Sequence, residues 1–111
     1  MPITVYEKRT CTTCRKLATL LADQGVDFER VEYHVEGLTD EELRGLVAKV
    51  GVPARELLRM REPGARELAD ADDDTVIAAM VAHPPLLERP VVVNGEQAVL
   101  ARPVERVLEI L

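Results

Sequence analysis

The chain has 111 residues, 47% of them hydrophobic, which is enough for one packed domain around a single modest core. Aromatic residues make up only 3%, so Val, Leu, Ile and Ala must fill that core. A formal net charge of −6 argues against a surface that coats nucleic acid, and no apolar run approaches the roughly 20 residues that span a bilayer.

The opening residues Met1 to Glu7 have no apolar segment behind a basic one, which predicts no secretory leader and a cytoplasmic protein. Ile3-Thr4-Val5-Tyr6 reads as a strand. It runs into Thr10-Cys11-Thr12-Thr13-Cys14-Arg15-Lys16, which holds the only two cysteines of the chain. A C-x-x-C where a strand hands over to a helix reads as a redox or nucleophilic thiol pair. In a reducing compartment such a pair is catalytic more often than structural. Unpaired N–H groups and the positive end of the helix dipole favour thiolate at that position. Lys8, Arg9, Arg15 and Lys16 bracket the pair with only Glu7 opposing them, a local field that draws small anions to an acidic protein.

Leu17, Leu20 and Leu21 at helical spacing predict a helix over about 11–24, stopped by Gly25. Asp27 to Tyr33 reads as a second strand with Phe28, Val31 and Tyr33 as its apolar members. Strand, helix and strand then form a β-α-β unit with parallel strands. Thr39 with Glu42 three residues on makes a capping box for a helix that runs to about Val50 and stops at Gly51. A short helical piece is expected at Arg55 to Leu58, and a loop with one helical turn over 63–72. Asp72, Asp73 and Asp74 read as cap and dipole partners of a helix over Thr75 to Val81 rather than as metal ligands. His83-Pro84-Pro85 ends that helix. Val91-Val92-Val93, a turn at Asn94-Gly95 and Gln97 to Ala101 form a hairpin. Pro103 opens a last helix, Val104 to Leu111. The order β-α-β, several helices, β-β-α is that of an α/β, thioredoxin-like fold, one domain over 1–111 with a helical insertion at about 37–86.

There is no serine, so a Ser-His-Asp triad is excluded, and neither phosphate-cradling glycine motif occurs. Cys11, Cys14, His34 and His83 match no zinc-finger spacing, so no metal is expected, and the two histidines read as surface or cap residues. Cys11, nearer the helix start, is the candidate nucleophile. Cys14, one turn deeper, is the candidate resolving thiol that closes a disulfide on it.

Together with Leu57-Leu58-Arg59, His83-Pro84, Arg89-Pro90-Val91-Val92-Val93 and Ala101-Arg102-Pro103, the Cys11 region resembles the ArsC/Spx family over essentially the whole chain, and most of all its glutaredoxin-coupled arsenate reductases. The resemblance implies that Cys11 is the catalytic cysteine and that Arg59, Arg89 and Arg102 hold the arsenate oxyanion. The backbone N–H groups at Thr12 and Thr13 would assist them, with Lys8 and Arg15 in support. It also implies a cis proline at Pro90 beside the active cysteine. No bound cofactor is implied; an external thiol reductant, glutathione with glutaredoxin or else thioredoxin, would complete the cycle of a monomeric enzyme. Arginine suits the role chemically, because its planar donor fork stays charged and matches tetrahedral oxyanions.

Three positions depart from the family pattern. A histidine that commonly lies four residues before the catalytic cysteine is Glu7 here, whose carboxylate would raise a nearby thiol's pKa. The glycine after the cysteine is Thr12. The resolving position is Cys14, where glutathione-dependent enzymes commonly carry serine. The C-x-x-C leaves two other readings open: an Spx-like redox-sensing transcription regulator that binds RNA polymerase, and a general glutaredoxin-like thiol oxidoreductase.

Overall fold

A computed structural model of the chain describes residues 3–111. Four short strands form one sheet in the order β2-β1-β3-β4: β1 Ile3–Tyr6, β2 Phe28–Val31, β3 Val91–Asn94 and β4 Gln97–Leu100. β1 pairs parallel with β2, in register Ile3 to Phe28, and antiparallel with β3, in register Val5 to Val92. The parallel pair requires a crossover, which α1, Thr12–Asp23, supplies. β3 and β4 are a tight hairpin in which Asn94 pairs with Gln97. The two turn residues are therefore Gly95 and Glu96, one step later than the sequence suggested. Gly95 has φ +63° and no described non-glycine residue has a positive φ, so only the first turn position is left-handed, as a type II′ turn needs.

The sheet is covered on both faces. The period of two sends Ile3 and Val5 of β1 and Val92 of β3 to one side, where Leu17 and Leu21 of α1 meet Val104, Val107 and Ile110. Val91 points to the other side, into a cluster of Tyr33, Leu43, Leu46, Leu57, Val76, Ile77, Met80 and Leu87. That second layer is built by α2 Tyr33–Glu36, α3 Asp40–Val50 and α4 Asp73–Ala82, with 3-10 turns at Ala54–Leu57, Arg66–Leu68 and Pro84–Leu86. Among the described residues no helix is long and apolar enough to cross a membrane.

Local signals placed most of these elements. Thr39 accepts from the Glu42 N–H at 3.0 Å while the Glu42 carboxylate accepts from the Thr39 N–H at 3.1 Å, a complete capping box. Gly51 ends α3 in the left-handed region at φ +79°. Of the acidic run, Asp72 caps α4 by accepting from the Thr75 N–H, while Asp73 and Asp74 lie in its first turn and turn their carboxylates to the Ala54 N–H and to Arg44.

Two elements differ from expectation. The second strand stops at Val31, and Tyr33 opens α2 instead of ending β2. Burial of the ring decides this: Tyr33 is fully buried and its phenol donates to the Leu87 carbonyl at 2.6 Å. The last helix is a 3-10 helix, Val104–Ile110, entered by an extended Pro103 that precedes it rather than opening its first turn.

Candidate active site

Cys11 is the N-cap of α1. Its N–H is taken by the Lys8 carbonyl at 2.9 Å and its own carbonyl accepts the first helical bond, from Arg15, at 3.0 Å. The sulfur is thus held over the first turn of α1, where the N–H groups of Thr13 and Cys14 have no helical acceptor. Burial pushes the Cys11 thiol up. The nearby donors, the Cys14 N–H and thiol, the Arg89 guanidinium and the Thr13 N–H, favour the charged form enough to outweigh that, and the net pKa lies below the ordinary thiol value.

Cys14 has the opposite environment. It is 1% exposed, and burial pushes its pKa up to about 12, with the charge of Cys11 and of Glu7 adding to the rise. Both thiols are free, and each bears on the other's ionisation: the Cys14 thiol favours the charged form of Cys11. Glu7 therefore bears on the inner thiol. It is 3% exposed, with Arg30 3.6 Å away, and burial holds its own pKa above the usual carboxylate range.

A cleft of about 370 Å³ opens beside Cys11, lined by Lys8, Thr10, Thr12, Thr13, Arg59, Arg61, Arg89 and Arg102. Among the described residues, five cations and no carboxylate line it. Its arginines arrive from separate segments. The Leu58–Leu87 bridge, flanked by Arg59 N–H to Leu86 carbonyl and Glu88 N–H to Leu57 carbonyl bonds of 2.8 Å each, sets Arg59 against the chain leading into β3. Arg89 follows directly and is 6% exposed. Burial alone would lower its pKa, but Tyr33 and Cys11 hold the guanidinium charged. Its Nε is buried with no acceptor among the described residues. Arg102, just after β4, donates through Nε to the Arg89 carbonyl at 2.7 Å and places Nη2 3.9 Å from the Cys11 sulfur. The Arg89–Pro90 peptide is cis, as the resemblance implied, and so is Arg102–Pro103.

Of the sequence candidates, Cys11, Thr12, Thr13, Lys8, Arg59, Arg89 and Arg102 share the cleft, while Cys14 is buried in the first turn of α1 and outside the lining. Arg15 lies outside it, exposed, with Nε donating to the Arg9 carbonyl at 3.2 Å. Pro90 is not part of the lining; its carbonyl accepts from Ala101 and ties β3 to the segment bearing Arg102. His83 pairs with Glu62 at 2.9 Å and His34 lies in α2. Sequence reasoning passed over Arg61, Thr10, Tyr33 and Glu88. Arg61 is signalled as the second basic residue of Arg59-Met60-Arg61 and Thr10 as the neighbour of Cys11, whereas Tyr33 and Glu88 depend on contacts far apart in the chain.

This geometry, a thiol of lowered pKa at a helix start facing a cage of guanidiniums, belongs to a known class. The family model of the ArsC family matches residues 6–110. The chain is 38% identical to the uncharacterized protein YfgD of Escherichia coli, over 98% of this chain and 96% of that one. It is 36% identical to the arsenate reductase of Escherichia coli, covering 98% of this chain and 80% of the relative. The solved structure of an arsenate reductase from Vibrio cholerae superposes with a TM-score of 0.92 at 36% identity, covering 100% of this chain and 98% of that one. The protein belongs to the ArsC family and has its thioredoxin-like fold.

Proposed function

We propose that this protein is a thiol-dependent arsenate reductase, with Cys11 as nucleophile and Arg59, Arg89 and Arg102 as the oxyanion clamp. The observation that carries the reading is the cleft itself: five cations, no lining carboxylate and a thiol of lowered pKa. Its likeness to named arsenate reductases over nearly the whole chain supports the substrate. Fixed donors around a developing oxyanion are worth more than mobile ones, because they need no reorganisation as charge builds. The buried, unpartnered Nε of Arg89 is one such donor.

In this reading the Cys11 thiolate attacks arsenic and a hydroxyl leaves as water after protonation, giving a Cys11 S–As(V) adduct. The Cys14 sulfur then attacks the Cys11 sulfur. The S–As electron pair passes to arsenic, which leaves as arsenite, and the two thiols supply the two electrons as a Cys11–Cys14 disulfide. An external thiol system, glutaredoxin with glutathione or thioredoxin, reopens that disulfide. The thiol environments support this order. The negative charge of Cys11 helps hold Cys14 protonated. Burial, the larger cause of the raised Cys14 pKa, is unchanged when Cys11 bonds to arsenic, but the contribution of the thiolate charge is gone, so forming the adduct eases ionisation of the second thiol. The protein would act as a cytoplasmic monomer, a single domain with its helical segment at about 37–86 inserted between the two halves of the sheet.

The test is arsenate-dependent oxidation of NADPH in coupled assays, with thioredoxin and glutaredoxin systems side by side. Turnover is expected in wild type and none in Cys11→Ser. If Cys14→Ser keeps full turnover with thioredoxin as sole reductant, the resolving role is wrong.

A further inference from the structure

We propose that Glu88 is a positioning residue whose carboxylate yokes Arg59 to Arg102 and so sets the spread of the guanidinium cage around Cys11. The proposal rests on the oxyanion reading of the cleft. Glu88 lies outside the lining, yet one oxygen, Oε1, meets three parts of the cage. It accepts from Arg59 Nη1 at 3.2 Å and from the Arg89 N–H at 3.1 Å, and lies 3.4 Å from Arg102 Nε. The three side chains are mostly shielded, with 17% exposure for Glu88, 16% for Arg59 and 29% for Arg102, so water screens these contacts only in part.

Arginines brought together from separate segments repel one another and each keeps several rotamers, so an unrestrained cage would splay into solvent. A shared acceptor counters this, alone for Arg59 and together with the Arg89 carbonyl for Arg102. It also decides which edge of each guanidinium is spent: Arg102 commits Nε to Glu88 and to the Arg89 carbonyl, leaving Nη2 to face Cys11. Donors held this way before the anion arrives are the preorganised kind. The carboxylate has an opposite effect on the thiol, because its negative charge subtracts from the positive field at the Cys11 sulfur. Removing Glu88 should therefore weaken anion binding by freeing Arg59, while Arg102 keeps its bond to the Arg89 carbonyl and its place beside Cys11, so that Cys11 becomes more acidic. A residue that only packs would not produce that pair of signs.

The experiment uses the full chain with Glu88→Ala and Glu88→Gln. Iodoacetamide alkylation of Cys11 is followed against pH, with and without inorganic phosphate as the competing oxyanion, and KM and kcat for arsenate are measured separately. For Glu88→Ala, the phosphate concentration that half-protects Cys11 and the KM for arsenate should each rise about tenfold or more, while the alkylation midpoint moves to lower pH. Glu88→Gln keeps an acceptor but not the charge, so it should show the same downward midpoint with a smaller loss of binding. Phosphate protection equal to wild type in both variants would overturn the proposal, as would lost protection with an unchanged or raised midpoint. If wild type fails to turn over arsenate but phosphate protection is lost in the Glu88 variants, the yoke stands and the arsenate assignment fails.

Discussion

Arg102 and Cys11 are 91 positions apart in the chain and meet across the cleft, guanidinium Nη2 to sulfur, at 3.9 Å. The contact closes only because the β3–β4 hairpin returns the chain to the start of α1, with Arg102 anchored through Nε on the Arg89 carbonyl. A cation held there favours the thiolate and would face the oxygens of an anion under attack.

Arg102→Ala is expected to raise the pH midpoint of Cys11 alkylation and to lower kcat/KM for arsenate by about 10²–10³, the range for losing one fixed donor to a developing oxyanion. Arg102→Lys should recover the midpoint better than the rate, since an ammonium supplies charge without the planar fork. The shift in midpoint is opposite in sign to that expected for Glu88→Ala. An unchanged midpoint in Arg102→Ala would mean that the first turn of α1 and Arg89 alone hold the thiolate.

The two cysteines should differ sharply toward a small electrophile. Cys11 is partly exposed with a lowered pKa, whereas Cys14 is 1% exposed with its pKa pushed up to about 12. Because thiolate is the reacting species, limiting iodoacetamide near neutral pH is expected to label Cys11 over Cys14 by at least about tenfold. Peptide mapping by mass spectrometry checks this. Equal labelling would remove the assignment of nucleophile and resolving thiol.

What the sequence disclosed follows the range of the interaction concerned. The Thr39–Glu42 box, the Gly51 stop and the Asp72 cap are set within a turn or two and were legible in the residues themselves. So was the thiol at the head of α1. The arginine set was reachable only through family resemblance, because nothing local joins Arg59, Arg89 and Arg102. Tyr33 was misread as a strand residue because its apolar neighbours alternate; its place follows from a buried hydrogen bond to Leu87, 54 positions away. Glu88 looks like an ordinary charged residue until the Leu58–Leu87 bridge sets it against Arg59.

Tyr33→Phe tests how far the buried phenol supports the cage. The substitution keeps the ring but leaves the Leu87 carbonyl without its 2.6 Å donor in a fully buried setting. A loss of about 1–3 kcal/mol in unfolding free energy is expected, measured by urea denaturation. Arg89 also loses the neighbouring phenol oxygen, which favours its charged form, so phosphate protection of Cys11 should weaken in the same variant. Full stability would show that the phenol's bond offsets no more than its own desolvation.

Tyr33 and Cys14 should together make the protein labile in alkali. Burial is the leading cause in both, raising the phenol from 10.0 and the thiol from 9.0 to about 12 each. An unfolded chain releases these protons near the ordinary values, while the folded one keeps them. Above about pH 9 the folded state therefore binds more protons than the unfolded state, and stability falls as pH rises. The contribution is whole below the unfolded values and is lost as pH climbs toward about 12, at up to about 1.4 kcal/mol per pH unit for each group. Cys11 has the reverse sign: its lowered pKa adds stability above the ordinary thiol value, and that is lost as pH falls through the folded one. Urea midpoints across about pH 8–11 separate the contributions. Wild type should decline from about pH 9, Cys14→Ala should flatten the first unit of that decline, and Tyr33→Phe should flatten the part beyond about pH 10. A Cys14→Ala curve parallel to wild type would mean that the inner thiol ionises as readily in the folded protein as in the unfolded chain, and adduct-triggered activation of Cys14 would lose its basis.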